Sequence, residues 1–112
     1  MILRLWRGWS DPQQSQAYEQ LLMSQIAPAI LDREILGLRD LTVLRRHPSE
    51  FDPARGAEIL TMMTFDELDS VAAFTGGDPS ESVVPAAARE LLAGFDEHSQ
   101  HYTTLTTFPR HR

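Results

Sequence analysis

The stretch ILRLWRGWSDPQ, residues 2–13, joins a strand pattern directly to a helix start. Over residues 2–9 the side chains alternate, with Ile2, Arg4, Trp6 and Gly8 on one side and Leu3, Leu5, Arg7 and Trp9 on the other. Large apolar groups stand on both sides, so both faces of this strand are expected to be covered. Ser10 or Asp11 then offers a capping oxygen, and Pro12 suits the first helical position, where an amide hydrogen has no partner to lose.

From there the helix is expected to run to about Ile30. Tyr18, Leu21, Leu22, Gln25, Ile26 and Ala29 form its inner stripe, and Pro28 breaks or kinks its end. Residues 35–47, ILGLRDLTVLRRH, read as a long strand whose terminal arginines, Arg45 and Arg46, reach solvent. HPSEFDPARG (47–56) has two prolines and a glycine between two strand patterns, which marks a hairpin connection rather than a crossover. AEILTMMTF (57–65) is the third strand, with the adjacent Met62 and Met63 facing opposite layers.

FDELDSVAAFTGG (65–77) reads as a second helix. Asp66 would cap it, Leu68, Val71, Ala72 and Phe74 would face inward, and Gly76-Gly77 would end it in a left-handed turn. DPSE (78–81) has the pattern of a capping box and predicts a further helix start, and Pro85 opens a short helix that stops near Gly94. HYTTLTTF (101–108), rich in threonine and aromatics, is the last strand.

Composition removes several kinds of chemistry. The 112 residues are enough for one domain, 1–112, with no room for a second core. A net charge of −6 argues against nucleic acid as a partner, because that interaction depends on neutralising phosphates. No apolar run approaches the roughly 20 residues that cross a bilayer, and the N-terminal segment lacks the pattern of a signal peptide. No membrane association and a cytoplasmic location are therefore expected. The chain has no Cys, which excludes thiolate chemistry, and no Lys, which excludes Schiff bases and a phosphate-loop lysine.

The element order β-α-β-β-α-β, with a short extra helix before the last strand, predicts an α+β fold of the ferredoxin-like kind. In it, two helices cover one face of a four-stranded antiparallel sheet. The other face would remain bare and apolar, so a homodimer joined sheet to sheet is expected.

On these residues the chain resembles the antibiotic-biosynthesis-monooxygenase family of dimeric α+β barrel proteins. The carriers are ILRLWRGW, AYEQLL, LTVLRR, EILTMMTFDELDSVAAFTGGD and FDEHSQHYTTL. The resemblance implies a dimeric α+β barrel with a pocket between helices and sheet in each subunit. It also implies cofactor-free, metal-free oxygenation of a small aromatic or polyketide-type substrate. Two family features are absent here: Phe65 stands where such oxygenases carry a tryptophan, and the chain contains no Asn. Heme degradation, which in relatives uses an asparagine, is not expected.

Within that frame, His101 is the candidate catalytic base, because a neutral imidazole can remove a phenolic or carbon-bound proton near pH 7. Arg4, on the same side as Trp6, is the candidate partner of an anion, since a buried Arg needs an acid or an anionic ligand. Trp6, Phe65, Phe74 and Tyr102 are the candidate walls of a pocket for a small apolar or aromatic ligand. His98 and His101 are three residues apart with no third ligand in reach by spacing, so no metal site is expected, and His98 is expected to be exposed. Two other functions suit the same features: a non-enzymatic ligand-binding or stress-related dimer, and a cofactor-free isomerase or cyclase.

Overall fold

The computed structural model describes residues 1–110. Its elements are β1 (Ile2–Ser10), α1 (Pro12–Leu21), a π turn (Leu22–Ile26), α2 (Ala27–Asp32), β2 (Leu38–Arg45), β3 (Ala57–Phe65), α3 (Leu68–Thr75), α4 (Ala86–Leu91), β4 (Gly94–Phe95) and β5 (Gln100–Thr103). All strand pairings are antiparallel, in the order β2-β3-β1-β4, and β5 joins the same edge of β1. This is the ferredoxin-like order, with its fourth strand split in two.

The split has a local cause. Gly94 and Phe95 pair with Trp9 and Gly8, and Gln100–Thr103 pair with Leu5–Ile2. Between these stretches the Asp96 amide donates to the Arg7 carbonyl (2.9 Å), while the Asp96 side chain takes the Arg7 amide (3.0 Å). One side-chain oxygen thus replaces a ladder carbonyl, and the strand leaves the sheet until Gln100.

Pro28 does not end the first helix. A proline has no N–H to give the carbonyl four residues back, and its ring crowds that group. The helix loosens just upstream into the π turn, where the Ala27 amide reaches the Leu22 carbonyl five residues back, and then continues through α2. The inner stripe is Tyr18, Leu22, Ile26 and Ile30; Gln25 and Ala29 are exposed.

Other expectations need correction. Asp66 does not cap α3: Glu67 occupies that position without a side-chain bond, and Asp66 pairs with Arg39 instead. Leu68 is exposed, whereas Val71 and Phe74 are buried as read. Gly76 ends the helix at φ 89°. Residues 78–81 form no helix, because the Asp78 carboxylate takes the Ser80 amide and hydroxyl (2.9 Å each) and closes a turn. The strand over 101–108 ends at Thr103, and that over 35–47 begins only at Leu38. Gly37, at φ 88°, starts the latter because a side chain there would strike Ser70.

On the helix side of the sheet, Tyr18, Leu22, Ile59 and Ala88 make one buried cluster and Met63, Phe65, Val71 and Phe74 another. The opposite side presents Leu3, Leu5, Leu44, Leu60, Met62 and Tyr102 by register, all partly or fully exposed. Trp9, on this side too, is covered within the chain: Arg7 and Arg55 lie over its ring and its Nε1 donates to Glu58 (3.0 Å).

Candidate functional site

Between the two buried clusters lies a cavity of about 40 Å³. The sheet forms its floor, with Arg4 and Trp6 of β1, Thr61 and Met63 of β3 and Leu41 of β2. Tyr18 and the helical stripe below it form one wall; Phe74 of α3, with Val83, Val84 and Pro85, forms the other. Period-2 alternation puts Arg4 and Trp6 on this floor, and the i, i+4 spacing of Leu22, Ile26 and Ile30 brings them over it.

Arg4 is the one charged side chain in the lining. It is 4% exposed, and burial lowers its pKa to about 10, so it remains a cation at neutral pH. Its Nη2 donates to the Glu81 carbonyl (2.7 Å), but its buried Nε has no partner. Its guanidinium lies 5.0 Å from the centre of the Phe74 ring, over which Arg33 also lies at 5.3 Å. No carboxylate pairs with Arg4 among the described residues.

Three other polar groups surround the space. Trp6 Nε1 is held by Ser82 Oγ (3.0 Å) and the Asp96 carbonyl (2.8 Å), so the break in the edge strand fixes the indole. The Tyr18 hydroxyl lies over Gly8, 3.4 Å from where a β carbon would stand, and burial pushes its pKa up to about 12. Thr61 Oγ1 donates to the Trp6 carbonyl (3.3 Å).

His101 is the cross-strand partner of Arg4 and shares its side of the sheet. Its Nε2 is buried without a hydrogen-bond partner. Burial and the Arg4 charge hold its pKa below the usual histidine value, against a weaker opposite pull from Asp78, so the ring is neutral at pH 7. It stands beside the cavity rather than in its lining.

Of the six residues singled out from the sequence, the structure brings Arg4, Trp6 and Phe74 into the cavity and sets His101 next to Arg4. Phe65 is 0% exposed and packs behind Phe74, ring centres 6.1 Å apart, as core rather than wall. Tyr102 faces the opposite side of the sheet, opposite Leu3, and is 54% exposed. Adjacent strand residues cannot both face one layer, and His101 takes the helix side. Tyr18 was legible only as a core position; the signal for more was a hydroxyl on a mostly apolar stripe. Ser82 carried no signal, because its contact with Trp6 spans 76 positions. His98 is exposed, and no group of three His, Asp or Glu close enough to hold a metal occurs among the described residues. Among the described residues no helix is long and apolar enough to cross a membrane.

The fold recurs in solved structures. A protein of Deinococcus radiodurans assigned to the antibiotic biosynthesis monooxygenases superposes with a TM-score of 0.65 at 15% identity, over 100% of both chains. A Streptomyces coelicolor monooxygenase in complex with nanaomycin D gives 0.64 at 17% identity, over 98% of this chain and 92% of that one. A dimeric ferredoxin-like protein from an uncultured marine organism gives 0.66 at 11% identity, over 97% of each. No family model matches the chain, and no curated protein matches it by sequence. The likeness is one of fold, the ferredoxin-like α+β architecture found among antibiotic biosynthesis monooxygenases.

Proposed function

We propose that the chain is a cytoplasmic, cofactor-free monooxygenase acting on a small aromatic or polyketide-type substrate as a homodimer. The observation that carries this reading is a buried guanidinium in the floor of a largely apolar cavity, next to a neutral histidine whose Nε2 is unengaged. Two solved structures of the same fold, described as monooxygenases, support it.

In this mechanism a substrate that displaces the lining between the cavity and His101 gives that residue a proton from an acidic CH₂ or phenol, and Arg4 stabilises the resulting anion. The anion passes one electron to O₂, the radical pair joins to a peroxide anion, and His101 returns its proton to give the hydroperoxide. Loss of water then leaves a carbonyl, so that R₂CH₂ and O₂ become R₂C=O and H₂O. Trp6 and Phe74 hold the ring. Two chains would meet through the apolar sheet face of Leu3, Leu5, Leu60 and Met62, away from the cavity. Oxygen uptake with anthrones and hydroquinones tests the reading. Uptake above the spontaneous rate that falls in His101→Ala supports it; equal uptake in both proteins, or none, overturns it.

The small size of the cavity favours a second reading, a dimer that binds an apolar ligand without turning it over. On that reading His101→Ala leaves ligand affinity unchanged and no substrate consumes oxygen.

A further inference from the structure

We infer that the cavity is built for a ligand that arrives already ionised: a small apolar monocarboxylate whose carboxylate lies against Arg4. The inference rests on the cavity being the ligand site, as proposed above, but it does not require oxygen.

The argument begins with what the chain withholds. It carries sixteen carboxylates against ten basic residues, yet none of the acids lines this space. Arg4 is the lone lining charge and is almost wholly buried. A buried cation is normally matched by an acid, because leaving water is otherwise uncompensated. Here the Glu81 carbonyl offers only a dipole, and Nε donates to nothing. The guanidinium thus keeps the Nε donor, which a carboxylate could take.

The neighbours point the same way. Arg33 lies over the same Phe74 ring and adds positive potential at that end, while its own Nη2 is held by the Phe74 carbonyl (3.0 Å). Apart from Arg4 and the polar groups of Trp6, Tyr18 and Thr61, the lining is apolar, with Leu22, Ile26, Ile30, Leu41 and Met63 among it, which suits a hydrocarbon tail or a ring but not a second charge. A transient enolate would leave Arg4 uncompensated for most of the catalytic cycle. A carboxylate on the substrate compensates it from the moment of binding. The narrow space makes that acid small.

Calorimetric titration of the full chain with benzoate and with its neutral isostere benzamide, at pH 7, tests this. Benzoate is expected to bind one per chain with Kd below about 1 mM, and benzamide about tenfold or more weaker. Arg4→Met should reduce benzoate to the level of benzamide, and Arg4→Lys should retain part of the difference. Equal affinity for the two probes in the wild-type protein, no binding of either, or full benzoate affinity in Arg4→Met would overturn the inference. The wild-type comparison decides even if a variant fails to fold. Benzoate selectivity without any oxygen uptake would leave this inference standing and remove the monooxygenase; oxidation of neutral anthrones without benzoate selectivity would do the reverse.

Discussion

Arg4 and Arg7 sit on one strand, three residues apart and on opposite faces of the sheet, and they are treated in opposite ways. Arg7 is forked to Asp96 at 3.0 and 3.1 Å, with 40% of its side chain exposed, and its hydrogen bonds to that carboxylate raise its pKa. Arg4 is 4% exposed, has no acid, and its pKa is lowered by burial. The Arg7 end of the strand is a structural fastening, since Asp96 also diverts the edge strand. The Arg4 end carries an electrostatic cost that no carboxylate among the described residues relieves. Costs of this kind cluster at functional sites, and under the inference above the ligand's carboxylate would be the relieving group.

The sharpest test removes the ring that both Arg4 and Arg33 use. Phe74→Ala deletes a buried aromatic that packs on Phe65, and it should lower unfolding stability by about 4 kcal/mol in urea denaturation. Next in size, and opposite in sign, is Arg4→Met. The fall of its pKa from 12.5 to about 10 corresponds to roughly 3 kcal/mol of desolvation. Loss of the Glu81 hydrogen bond offsets about 1 kcal/mol of that, so the variant should be more stable by about 2 kcal/mol. Arg7→Met should instead destabilise by about 1 kcal/mol, a value discounted for the exposure of that pair. If both arginine variants moved stability the same way, the contrast between the two ends of β1 would be wrong.

The smallest effect is a pH dependence. In the folded chain His101 is held below its usual value by burial and by Arg4, against Asp78. In acid the unfolded chain therefore binds a proton more readily than the folded one. This contribution to stability is fully present above the unfolded pKa of about 6.5 and is lost as pH falls through the lower folded value. The drop in urea midpoint between pH 7.5 and 5.5 should be smaller in His101→Gln than in wild type. An equal drop would show that the histidine is not buried beside the cation.

What could be read from the chain alone differed from element to element. The strand over residues 57–65 and the left-handed stop at Gly76 follow from local chemistry, namely alternation and a glycine conformation. The capping-box pattern at Asp78 failed because the residues after it supply no apolar stripe to hold a helix against the sheet, so the carboxylate closed a turn. The threonine-rich stretch after Thr103 has the propensity of a strand but no neighbour. Its partner β1 begins at Ile2, and the last backbone hydrogen bond among the described residues is that of the Thr104 amide to the Met1 carbonyl (3.0 Å). Propensity cannot form a ladder without a facing edge.

The same division runs through the site. Alternation along ILRLWRGW was enough to place Arg4 with Trp6 on one face, and the helical stripe was enough to put apolar groups over them. That Arg4 would have no acid, that Ser82 and Asp96 would hold the indole, and that Tyr102 would face away while His101 lay beside Arg4 were decided by tertiary structure. Each depends on which segment is brought alongside β1 from 76 or more positions away. Periodicity reports the direction of a side chain from its own element; its partner is set by packing between elements distant in the chain.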